Sequence, residues 1–105
     1  MMSFCLNQCM SAPTDLRVSV KRMLRQGFSI ELTWSDNADN ETQVIIERCR
    51  VETKNNKPRC EFKPHANVAA NVTSYQDNVS FGQYLYRIKA VNANSSSSYS
   101  QPAST

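Results

Sequence analysis

Four cysteines, one histidine and a short acidic run are the residues whose types and spacing could do chemistry in this chain of 105 residues. Cys5 and Cys9 stand in a C-x3-C spacing, Cys49 and Cys60 are separated by ten residues, and His65 follows shortly after. Thiolates and imidazole are zinc ligands, but the gap between Cys49 and Cys60 is unlike the close pairs of compact zinc modules. Asp36, Asp39 and Glu41 offer oxygen ligands for calcium. They lack the alternating carboxylate order of an EF-hand loop and the glycine of its sharp turn. Nucleophilic catalysis needs a base and an orienting group beside the nucleophile, and chain order alone places no such set around His65. No catalytic residue and no cofactor is therefore expected.

The segment that holds the second cysteine pair decides between these chemistries. Val51 to Lys63 runs out through Lys54-Asn55-Asn56-Lys57 and returns through Arg59-Cys60-Glu61-Phe62, the pattern of a hairpin with a polar tip. With its centre near Lys54 and Asn55, residues 49 and 60 lie opposite or nearly so, which suits a cross-strand disulfide. A Cys49–Cys60 bridge is the expectation, with zinc and free thiols as alternatives. Cys5 and Cys9 form a second pair or bond to an upstream segment. Disulfides and four N-x-[ST] sequons, at Asn40, Asn71, Asn78 and Asn94, point outward from the cell, to an extracellular or cell-surface location.

The rest of the chain alternates with period two. Tyr84, Tyr86, Ile88 and Ala90 share one face of a strand whose other face carries Leu85, Arg87, Lys89 and Val91. Phe28, Ile30, Leu32 and Trp34 form a second inward row, and Leu16, Val18 and Val20 a third. Val44 and Ile46 face inward from a strand over Gln43 to Arg50, with Ile45, Glu47 and Cys49 on its other side. Val72 to Asp77 is a short strand with Tyr75 inward, and Tyr99 to Ser104 a last strand that Pro102 confines to an edge or an end. Lys21 to Gly27 and Asp36 to Thr42 read as turn and loop, Pro64 to Asn71 as irregular, and Asn92 to Ser98 as a serine-rich loop. The predicted core is Leu32, Trp34, Ile46, Tyr84, Tyr86 and Ile88.

Seven short strands, turns between them and no helical stretch imply an all-β, antiparallel β-sandwich. The first ten residues, MMSFCLNQCM, read as a leader or the tail of an upstream region, and residues 11–105 as one domain. No apolar run approaches the roughly 18 residues of a membrane helix, so membrane insertion is not expected. The 12 Lys and Arg against 9 Asp and Glu leave a net charge of +3, too mild and too scattered for a nucleic-acid interface. With two glycines in all, the chain has no Gly-rich phosphate loop.

AP-T-DLRV at the start, IELTW, DNADNET, VIIER, NVTSYQD, YLYRIKAVN and SSYSQP at the close occur in an order that resembles the fibronectin type III family over about Ala12 to Ser104. The wording of the loop and of the later strands looks like modules strung along secreted bacterial enzymes and adhesins. The resemblance implies an immunoglobulin-like sandwich of seven strands, with Trp34 between the sheets and Tyr84 as the tyrosine-corner residue. It also implies a non-catalytic module, acting as spacer or protein-interaction domain in a larger protein, whose partners are neighbouring domains or a protein ligand, and a monomer. The chain departs from the family in its four cysteines, its long hairpin and the absence of an Arg-Gly-Asp triplet, which excludes integrin adhesion by that motif.

Topology of that fold would gather Lys21, Arg22 and Arg25 with Lys54, Lys57 and Arg59 at the pole of the C-terminus, as an interaction pole for an acidic partner. Asp36, Asp39 and Glu41 would mark the other pole. The alternative function is an accessory carbohydrate-binding module holding an enzyme near a polysaccharide. Such modules present exposed rings, for which only Phe62, Phe81 and Tyr99 remain.

Overall fold

The structure is a computed structural model that describes residues 10–23 and 25–105. Cys5 and Cys9 lie outside the described residues. The alternating rows fold as nine strands: β1 (Thr14–Met23), β2 (Gly27–Ser35), β3 (Gln43–Arg50), β4 (Glu52–Lys54), β5 (Lys57–Arg59), β6 (Lys63–Ala69), β7 (Ser74–Val79), β8 (Tyr84–Val91) and β9 (Ala103–Ser104). Seven of them build two antiparallel sheets, β1-β2-β7 and β6-β3-β8-β9. The other two, β4 and β5, pair only with each other as a projecting hairpin.

The inward rows meet in one core. Ile30, Leu32 and Trp34 from β2 and Val79 from β7 face Val44 and Ile46 from β3 and Tyr84, Tyr86 and Ile88 from β8, all buried. Leu16, Val18, Phe28, Ala66, Val68 and Tyr75 close its flanks. Burying these side chains, at roughly 1.5–3 kcal/mol for each large one, is what holds the sheets face to face. Ala90 at the far end of β8 packs instead with Met10 and Ala38 in a smaller cluster.

Several expectations are corrected. Lys21 and Arg22 belong to β1, which runs on to Met23 before the turn; Lys21, Arg22 and Met23 find register partners in Ser29, Phe28 and Gly27, and backbone pairing carries the polar residues along. Gly27 then takes φ 124°, and a side chain there would run into the Val79 carbonyl. Val20 is 43% exposed although its register partner Ile30 is fully buried, because β1 is the edge strand of its sheet. The stretch read as irregular is β6, whose Ala66 and Val68 pair with Ile46 and Val44. Its Pro64 sits where the register slips between Ile46 and Glu47 on an edge strand, a place that tolerates a missing N–H. The strand placed at Val72 to Asp77 occupies Ser74–Val79. The last strand shrinks to Ala103–Ser104.

The shortened last strand leaves the edge of β8 to be satisfied otherwise, and buried serines do it. Ser100 donates its backbone N–H to the Ile88 carbonyl at 2.7 Å while its hydroxyl accepts the Ile88 N–H at 3.1 Å. Ser97 repeats the exchange with Ala90, at 2.8 and 2.9 Å. Each hydroxyl thus stands in for the carbonyl of a paired strand, so a chain that is not extended still closes the ladder.

Candidate functional site

Where β3 leaves the sandwich, the chain builds a groove. Arg50 ends the strand, Val51 bonds back to the Gln83 carbonyl at 2.9 Å, and β4 then departs from the sheet. Asn55 and Asn56 take φ 53° and 63°, the left-handed pair that a two-residue hairpin turn requires and asparagine tolerates. The register Glu52↔Arg59, Thr53↔Pro58 and Lys54↔Lys57 returns the chain to Cys60, which is bonded to Cys49 with Cα atoms 5.3 Å apart. The bridge ties the returning limb to β3. Both described cysteines are therefore in a disulfide, and the zinc alternative loses the thiolates of Cys49 and Cys60.

Between the hairpin, the end of β3 and the start of β6 lies an open cavity of about 880 Å³. Arg48, Arg50, Lys54, Arg59, Lys63 and His65 line it, against Glu52 and Glu61. Two of these, Arg48 and His65, also belong to a polar cluster around the buried Asp77. Asp77 projects inward from β7, where Tyr86 Oη donates to its Oδ2 at 2.8 Å and Arg48 Nη1 to the same oxygen at 3.0 Å. His65 Nε2 lies 3.1 Å from Oδ1. Burial by itself would raise the Asp77 pKa, but the hydrogen bonds from Tyr86, Arg48 and His65 outweigh it and hold the carboxyl below its ordinary 3.8. Burial, and then the adjacent carboxylate, push the Tyr86 hydroxyl up.

The predicted basic pole divides. Lys54 and Arg59 line the groove and Lys57 faces Lys54 across the hairpin. Lys21, Arg22 and Arg25 are not among the lining residues. They lie at the same end of the sandwich, where Arg22 stacks over Phe81 at 5.3 Å and Arg50 donates to the Phe81 carbonyl at 2.8 Å. Arg48, Arg50, Lys63 and His65 complete the groove; only His65 was singled out from the sequence, and as a metal-ligand candidate. A charged residue at inward parity, as Arg48 is after Val44 and Ile46, was the available signal.

The acidic pole is weaker than expected. Asp36 Oδ1 accepts the Ala38 N–H at 3.1 Å, and Asn37 Nδ2 donates to Thr14 Oγ1 at 2.8 Å and the Ala12 carbonyl at 3.0 Å, which fixes the loop as an Asx-turn. Glu41 is only 8% exposed. Burial, then the hydrogen bond and charge of Asp36, push its carboxyl up to about 7. Among the described residues no group of three acidic, cysteine or histidine side chains is placed to hold a metal ion.

None of the three candidate rings is a free platform. Phe62 and Tyr99 are half-buried and sandwich Arg87, whose guanidinium lies 4.4 and 3.8 Å from their centroids. Glu47, buried in the outer layer, takes Arg87 at 2.7 Å and the Tyr99 hydroxyl at 2.9 Å. Phe81 is exposed but meets Phe28 edge-on and carries Arg22 over its face. Next to Phe81, Tyr84 Oη donates to the Ser80 carbonyl at 3.0 Å, closing a tyrosine corner.

No family model and no curated protein matches the sequence; the likeness is in the fold. A structure of titin kinase and its flanking domains superposes with TM-score 0.68 at 25% identity, covering 93% of this chain and 17% of that one. A structure of further titin domains gives 0.65 at 26% identity, over 92% of this chain and 32% of that one. An Fn3-like protein from Clostridium thermocellum gives 0.61 at 22% identity, over 91% of both chains. The chain thus spans less than a third of the titin chains it matches. Sheets of three and four antiparallel strands, ordered β1-β2-β7 and β6-β3-β8-β9 around one core and a tyrosine corner, are those of the fibronectin type III fold, and that is the fold of this chain.

Proposed function

We propose that the domain is a non-catalytic module of a larger secreted or cell-surface protein, which holds its neighbours apart and offers one pole for protein interaction. The observation that carries this reading is where the chain enters and leaves. Met10 packs with Ala38 and Ala90 at one end of the sandwich. Thr105 at the other end exchanges hydrogen bonds with the Tyr84 backbone at 2.9 and 3.0 Å. Tyr84 and Ala90 are ends of one strand, so entry and exit are separated by its length, about 20 Å at 3.3 Å per residue. Each module therefore advances the chain by a fixed step. The titin structures that share the fold contain it as a minor part of their length, in keeping with a module. The disulfide favours an oxidising compartment, and no helix among the described residues is long and apolar enough to cross a membrane.

Energy transfer between fluorescent proteins fused to the two ends tests the spacer directly. A single narrow distribution, unchanged by salt, is expected; a broad one would contradict a fixed step. Retention of the same fusion on cellulose or chitin would replace this reading with the carbohydrate-binding one, which the occupied faces of Phe62 and Tyr99 disfavour.

A further inference from the structure

We propose that the disulfide-clasped groove between the β4–β5 hairpin and the start of β6 binds an extended acidic peptide segment of a partner protein. The inference adds a ligand class to the interaction part of the proposed function. The spacer part stands or falls separately, on the energy-transfer measurement.

Charge is the first argument. Five Lys and Arg side chains line the groove against two glutamates, in a chain whose whole excess is +3. Two of the five are committed: Arg48 to Asp77, and Arg50 to the Phe81 carbonyl. The side chains of Lys54, Arg59 and Lys63 make no hydrogen bond or ion pair among the described residues, and all three residues are exposed. Three free cations along one opening attract a partner carrying several negative charges rather than one.

Size and lining then choose among anions. A cavity of about 880 Å³ is in the range that takes a drug-sized or peptide ligand and far exceeds a single phosphate. No Phe, Tyr or Trp lines it, and the His65 ring is engaged by Tyr75 and Asp77, so a sugar ring finds no large aromatic face to stack on. Glu52 and Glu61 sit among the cations; they repel a uniformly charged polysaccharide, yet they accept hydrogen bonds from the N–H groups that a peptide backbone brings at every residue. The walls are held without the ligand, by the Cys49–Cys60 bridge and by the bonds of the lining Arg48 and His65 to Asp77, so little ordering is needed on binding.

Fluorescence anisotropy of a fluorescein-labelled oligoglutamate, titrated with the oxidised protein at low salt, tests the proposal. Saturable binding that weakens as salt rises is expected. Replacing Lys54→Glu, Arg59→Glu and Lys63→Glu together should lower affinity at least about tenfold, while the equal charge change Lys21→Glu, Arg22→Glu and Arg25→Glu, outside the groove, should lower it by less than about threefold. Melting curves of both variants confirm that they remain folded, since all six side chains project from turns and edges. Absence of saturable binding, or equal losses from both variants, would overturn the proposal. So would a heparin oligosaccharide of matched charge that binds the wild type more tightly than the peptide does.

Discussion

Replacing Asp77 with alanine is expected to destabilise the domain by about 3–5 kcal/mol, the usual result of removing one member of a buried charge pair. The loss is large because Asp77, 7% exposed, reaches from the three-stranded sheet to three strands of the other. Tyr86 from β8, Arg48 from β3 and His65 from β6 all converge on it. Alanine would leave a buried hydroxyl without its acceptor and a guanidinium without its counter-charge. Asp77→Asn keeps an acceptor and should cost less than alanine. The pH dependence supplies a second signature. The folded state holds the Asp77 carboxyl below 3.8, so its contribution is complete above that value and is lost as pH falls through the lower, folded-state pKa. Denaturant unfolding between about pH 2 and pH 6 should show a fall in wild-type stability that is shallower in Asp77→Asn. A change below about 0.5 kcal/mol in Asp77→Ala would mean that the cluster contributes nothing net.

Ser97→Ala and Ser100→Ala are the second pair of large effects. Both serines are buried, and their hydroxyls are the acceptors that the Ala90 and Ile88 N–H groups use at 2.9 and 3.1 Å. Each substitution strands a backbone donor next to the core, at about 1–3 kcal/mol, and the double variant should lose more than either. Ser96→Ala and Ser98→Ala, exposed neighbours in the same run, should stay within about 0.5 kcal/mol of wild type. Equal, small effects at all four positions in urea melts would show that water, not the hydroxyls, satisfies that edge of β8.

The sandwich was legible because its core strands obey a strict period of two. Tyr84, Tyr86, Ile88 and Ala90 need no partner to reveal which face is buried, and burial follows that parity without exception. β6 escaped because it begins Lys-Pro-His and its inward residues, Ala66 and Val68, are small, a combination that single-strand patterning scores as loop. Ser97 and Ser100 escaped for a related reason. Serines in a polar run read as solvated until a strand edge lacking its own partner lies beside them. Their spacing of three around Tyr99 is the visible trace.

The groove was only half legible. Hairpin symmetry led to the Cys49–Cys60 bond and to Lys54 and Arg59, although the turn falls at Asn55-Asn56, one residue later than expected, and its register sets Cys60 across from Val51 rather than Cys49. Arg48, Arg50, Lys63 and His65 reach the same opening from two other strands, and no spacing along the chain encodes that convergence. The Glu47–Arg87 pair has the same origin. The two residues are cross-strand neighbours in the β3–β8 register, and their signs match only once that register is known.

An extracellular module with a rigid, disulfide-walled interaction groove is the central claim, and the state of Cys49 and Cys60 bears on both halves of it. Peptide mapping by mass spectrometry, on protein isolated without reductant and alkylated before digestion, reads that state directly. The expected result is one peptide linking Cys49 to Cys60, with neither alkylated. Alkylated Cys49 and Cys60 in the natively folded protein would contradict the clasped groove and the oxidising compartment together.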